Sequence, residues 1–144
     1  MANTITQTLK VVWKNDDGDS VTGSVVQTLT QSGNAVFSNV QTIGATSETI
    51  TVGEVSGDCL IFFKNNNTEW SELSTASKEE YADEDDYNTK NTVYVGTTNP
   101  ATSSSANTHA LKPGSGAVES AVLATHYAIR DTEDVDLLVI VIEK

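Results

Sequence analysis

The chain has 144 residues, 38% of them hydrophobic and only 6% aromatic, with 20 acidic against 8 basic side chains and a net charge of −12. One domain with one core is expected at this length, and the wealth of Thr, Ser and Asn suits strands with solvated faces better than helices. Few, scattered cations cannot replace counterions on a nucleic acid or hold an anionic membrane, so both partners are excluded and a positively charged partner surface is favoured.

The opening MANTITQTLK lacks a basic region followed by an apolar run, so no signal peptide is expected. No apolar segment approaches the roughly 20 residues of a bilayer span. The expectation is a soluble chain made in a cytoplasm. Cys59 is the one cysteine, which rules out an intrachain disulfide and reads as a small buried side chain.

Thr4–Trp13 alternates with period two: Ile5, Leu9, Val11 and Trp13 on one face, Thr4, Thr6, Thr8 and Lys10 on the other. Asn15–Asp19 holds an Asp-Gly turn, and Ser20–Thr30 alternates again, so residues 4–30 predict a first hairpin. A third strand spans Ala35–Ile43, with either Phe37 and Ile43 or Val36 and Val40 inward. Glu48–Val52 is a short fourth strand.

Cys59–Phe63 is apolar at every position, as a strand buried on both faces would be. Lys64–Asn67 is a polar run, and Thr68–Leu73 resumes partial alternation. Asp58–Leu73 therefore predicts the hairpin around which the other strands assemble. Residues 74–91 are acidic and read as an exposed loop with one helical turn near Ser77–Tyr81. Thr92–Val95 is a strand, and residues 96–108, rich in Thr, Ser and Asn, are a long surface loop.

Pro113-Gly114 marks a turn. Ala117–Leu123 fits a strand or a short helix, with context favouring the strand; His126–Arg130 is a strand. Val135–Ile142 has six consecutive apolar residues from Leu137, so it should be central and covered on both sides. Roughly eight to ten short strands with turns every ~8–12 residues make an all-β sandwich or barrel. The expected architecture is a single antiparallel β-sandwich domain, jelly-roll-like, over residues 1–144.

No constellation reads as an active site. Cys59 with His109 or His126 has the makings of a thiol and base, but no basic or Gly-rich surroundings activate the thiol. Asp16, Asp17 and Asp19 resemble a calcium loop with its Gly too early and its closing Glu missing. Asp83–Asp86 is dense enough for a divalent cation, although charge runs are usually solvated faces. Asn66-Asn67-Thr68 matches a glycosylation acceptor, incidental without a secretory signal. Paired carboxylates of a hydrolase would have to face each other across a cleft, which linear sequence does not display. Among the aromatics, Trp13 and Trp70 are assigned to core packing rather than to a sugar-stacking platform with Tyr94 and Tyr127; Tyr81 and Tyr87 are the better partner contacts. No catalytic, cofactor or metal residue is predicted.

Three pieces, Leu60–Leu73, Leu111–Gly114 and Tyr127–Lys144, give an order of motifs. An apolar strand ends in Lys-Asn and is followed by a polar turn and an aromatic-containing strand. A Leu-Lys-Pro-Gly turn comes next, then a closing apolar strand. This order resembles the capsid decoration, or cement, proteins of tailed bacteriophages. The resemblance implies a β-sandwich on the outer shell, commonly trimeric. Its implied partners are the major capsid protein and further copies of itself. It implies a non-enzymatic stabilising role in the virion. The insert at 74–108 departs from the tighter spacing of that pattern and keeps open a carbohydrate- or receptor-binding module of a tail or fibre.

Overall fold

A computed structural model describes residues 3–14, 20–31, 35–99, 101 and 108–144. The chain divides into two compact units, Met1–Asn34 with Lys144, and Ala35–Glu143. The first is the predicted hairpin, β1 (Asn3–Lys14) paired antiparallel with β2 (Ser20–Gln31). Its register sets Thr4 against Thr30, Thr6 against Thr28, and Ile5 against Leu29. Thr–Thr and apolar pairs of this kind stabilise a two-stranded ribbon. The connection at 15–19, with Asp16, Asp17 and Asp19, lies outside the described residues, as does the side chain of Trp13.

The second unit holds eight strands: β3 (Val36–Ile43), β4 (Glu48–Thr49), β5 (Asp58–Asn65), β6 (Val93–Gly96), β7 (Thr108–Leu111), β8 (Gly116–Val122), β9 (Tyr127–Arg130) and β10 (Val135–Glu143). They form two antiparallel sheets, ordered β3-β10-β5-β8 and β4-β9-β6-β7. The chain changes sheet at every step except between β6 and β7. This interleaving is the jelly roll, in which two Greek keys pack sheet on sheet. The expected all-β sandwich is therefore the fold.

The pleat assigns the core. Odd-numbered residues of β3, β5 and β10 face inward: Ile43, Cys59, Ile61, Phe63, Val135, Leu137, Val139 and Val141 are all at most 1% exposed. Val93, Val95, Leu111 and Ala128 close the core from the second sheet. Of the two faces open for the third strand, Phe37 and Ile43 point inward, whereas Val36 and Val40 are exposed. Gly53 adopts φ 65°, and a Cβ there would collide with the Phe37 ring, so glycine is required for the return toward β5.

Several expectations are corrected. β5 does not pair with residues 68–73; its neighbours are β10 and β8. Trp70 and Leu73 lie three residues apart, a helical rather than a strand spacing, and Trp70–Glu72 forms a 3₁₀ turn. The acidic stretch at 74–91 is not an open loop. It folds as α1 (Thr75–Lys78), capped by Ser74 Oγ, and α2 (Glu84–Lys90), capped by the Asp83 carboxylate on the Asp86 amide. Glu84, Asp85 and Asp86 occupy the first turn of α2, where backbone N–H groups favour negative charge. β10 is central, between β3 and β5, but is covered on one face only: Leu138, Ile140 and Ile142 are half-buried. Most of the expected loop at 96–108 lies outside the described residues.

Candidate functional site

Two polar constellations stand out in the second unit. The first closes one side of the sandwich. β8 presents Ala117, Glu119 and Ala121 on the face opposite to Val118 and Val122, which are 40% and 67% exposed. Glu119 sits between the chain's two histidines. Its Oε1 is 2.7 Å from His109 Nε2 on β7, and its Oε2 is 3.0 Å from His126 Nε2 just before β9. His126 is 2% exposed, its Nδ1 meets the Ala124 carbonyl at 2.9 Å, and its ring lies 5.3 Å from that of Phe63. One carboxylate thus ties the edge strands of both sheets.

This arrangement sets aside the thiol–imidazole pairing. Both histidines are engaged at Glu119, while buried Cys59 donates its Sγ–H toward the carbonyls of Ser56 and Gly57.

The second constellation is a pocket of about 360 Å³ at the end of the sandwich where β5 finishes and β10 starts. Its base is an asparagine relay. Asn65, fully buried, donates through Nδ2 to the carbonyls of Asn91 (2.8 Å) and Leu111 (2.9 Å), and its Oδ1 accepts from the Asn67 amide. Asn67 Nδ2 donates to Asn91 Oδ1 and to the Asp134 carbonyl, and Asn67 Oδ1 accepts from the Asp136 amide. These bonds carry the chain away from β5 instead of turning it into a second strand.

The wall comes from the helical insert. Tyr87 is 4% exposed, donates its hydroxyl to the Thr68 carbonyl, and packs against Trp70 (5.6 Å between rings) and edge-on to Tyr81 (4.8 Å). Burial, and secondarily the neighbouring Tyr81, hold its hydroxyl above the usual tyrosine pKa. Lys78 lies over Trp70 and Lys90 over Tyr81, and Lys90 is paired with Asp86 at 2.8 Å. That bond lowers the Asp86 pKa and raises that of Lys90.

Tyr81 is half-buried and lines the pocket. Tyr87 is instead a packing residue, and Trp70 belongs to the insert rather than to the sandwich core. Tyr94 and Tyr127 are half-buried on β6 and β9. Asn66-Asn67-Thr68 serves as the pocket's lip, and Asp83–Asp86 as a helix start. Glu80 and Asp136 both line the pocket and both are exposed. Glycosidic acid catalysis needs one carboxyl withdrawn from water. Among the described residues, no group of three or more metal-ligating side chains is brought together, and no helix is long and apolar enough to cross a membrane.

Sequence reasoning missed Glu119 and Asn65. The signal for Glu119 was a single acid inside Ala117–Leu123 in a chain with only two histidines. For Asn65 there was none, because the run Asn65–Asn67 reads as a turn. Comparison with protein-family models, curated proteins and solved structures returns no match.

Proposed function

We propose that the chain is a non-enzymatic structural protein of a virion that binds the outer capsid surface as a homotrimer and stabilises the shell. The observation carrying this reading is a jelly roll in the same chain as a two-stranded ribbon. Jelly rolls recur in viral capsid and lectin domains, although a fold alone does not fix a role. A two-stranded ribbon is marginal in water unless something packs on it. Val25 and Val26 point to opposite faces of this one, and both are more than 60% exposed.

The outward face of the β3-β10-β5-β8 sheet adds support. Its cross-strand rows, Val36–Ile142–Leu60–Ser120 and Ser38–Ile140–Phe62–Val118, are largely apolar, each ending in a serine at one edge, with Leu60 buried. Val36, Val40, Val118 and Val122 are 40–67% exposed. Exposed valines on both edge strands of one sheet suit an assembly subunit better than a free-standing enzyme. Cyclic symmetry would repeat one patch on a lattice and multiply weak contacts. The likeness of Leu60–Leu73, Leu111–Gly114 and Tyr127–Lys144 to phage decoration proteins points the same way, with the major capsid protein as partner.

The test is co-sedimentation of purified chain with capsids lacking it, beside a variant reduced to residues 35–144. The full chain should pellet with capsids and raise their disruption temperature, and the shortened one should bind more weakly. Capsids that retain no chain and gain no heat resistance would end this reading. A second reading, a glycan- or receptor-binding module, is favoured by the polar pocket beside Tyr81.

A further inference from the structure

We infer that the pocket formed by Asn66, Asn67, Thr68, Glu80, Tyr81 and Asp136 binds a neutral saccharide. Its volume of about 360 Å³ is near the lower end of the roughly 300–1,000 Å³ usual for ligand sites, which suits a small sugar. The chemistry of its lining selects the ligand class. No Lys, Arg or His lines it, so an anion would meet only carboxylates and amide or hydroxyl dipoles. Leu73 is its one aliphatic side chain, so a lipid or other apolar ligand gains little. Amides, hydroxyls and carboxylates beside an aromatic ring match a ligand of many hydroxyls with apolar C–H edges.

The pocket is also prepared for a ligand. Asn67 and Asn91 are fixed by the asparagine relay, and Tyr81 is held edge-on by buried Tyr87. By contrast, the Asn66 side-chain amide, the Thr68 and Tyr81 hydroxyls and the Glu80 carboxylate hold no hydrogen-bond partner among the described residues, while the Asn66 backbone N–H donates to the Asp136 carbonyl. Rigid support beneath unspent donors and acceptors lowers the ordering cost of binding. Glu80 can accept from a pair of adjacent hydroxyls, and Asp136 offers its Oδ2, since its Oδ1 already accepts from the Thr42 hydroxyl at 2.7 Å.

This inference does not depend on where the protein resides in a particle. Its test applies the full chain, Tyr81→Ala and Asn66→Ala to an array of neutral and acidic glycans, with nuclear magnetic resonance titration of the strongest neutral hit. The Asn66 side chain is exposed and unpartnered, so its replacement leaves the fold intact even if Tyr81→Ala loosens the insert. The expected result is retention on a subset of neutral glycans, weakened about tenfold or more in both variants. Resonance shifts should centre on Asn66, Asn67 and Tyr81. Retention on no glycan, on acidic glycans alone, or equally by both variants would overturn the inference.

Discussion

Replacing Glu119 by Ala tests the histidine clamp that joins the two sheets. The Ala124 carbonyl only accepts, so His126 Nδ1 must carry a proton. His126 Nε2 faces a Glu119 oxygen at 3.0 Å. Removing the carboxylate leaves that ring edge, on a residue 2% exposed, without its partner. A buried hydrogen bond to a charged group contributes about 1.5–3 kcal/mol. The more exposed contact to His109 adds about 0.5 kcal/mol, as surface pairs do. At roughly 3–4 °C per kcal/mol for a chain of this size, the melting temperature should fall by about 6–14 °C. Glu119→Gln keeps the shape and offers one donor and one acceptor, enough for one neutral imidazole of each tautomer, so it should cost about 1 kcal/mol or less. Scanning calorimetry of both variants reads the difference. If Glu119→Ala melts within a degree or two of the parent, the clamp contributes nothing and the reasoning fails.

Three further outcomes follow from the pocket and its insert. Asn65→Ala orphans the Asn91 and Leu111 carbonyls in a fully buried site, and its urea midpoint should show a loss of about 2–4 kcal/mol at unchanged m-value. Tyr87→Phe should cost about 1 kcal/mol near neutral pH by deleting the bond to Thr68. Because folding raises the Tyr87 pKa, its stabilisation is complete below the ordinary value of 10.0 and is lost as pH climbs through the folded value; the Phe variant should lose that alkaline limb in pH-dependent urea melts. Asp86 is shifted the other way by Lys90, then by the Ala82 amide. Its contribution is present above the ordinary 3.8 and lost as pH falls through the lowered value, so Asp86→Asn should flatten the acid limb of helical circular dichroism.

The strands that were legible are those whose side chains alternate or run apolar: β1, β2, β3 and β10 follow directly from period two and from Leu137–Ile142. Their sheet order was not legible, because pairing is non-local and β5 finds its partners at positions 116–122 and 137–143. The weak alternation of Thr68–Leu73 suggests a strand, but the buried Tyr87, seventeen residues on, packs against Trp70 and holds it in a 3₁₀ turn. In residues 74–91 acidity alone signals solvation, whereas at Asp83–Asp86 it caps a helix. Deleting that stretch removes Tyr87 and Asn91, both buried, so it should unfold the pocket. β8 was ambiguous for a physical reason: its inward face is Ala-Glu-Ala and its outward face carries the valines, the reverse of hydrophobic patterning. Only the two histidines make that register acceptable.

The assembly reading is tested most directly by the mass of the chain in solution, measured by sedimentation equilibrium across a wide concentration range. The account predicts a trimer, three times the 15.3 kDa chain mass, with the exposed valines of the outer sheet and the N-terminal ribbon protected from hydrogen exchange or labelling. A single-chain mass at every concentration, with both surfaces open, would contradict it.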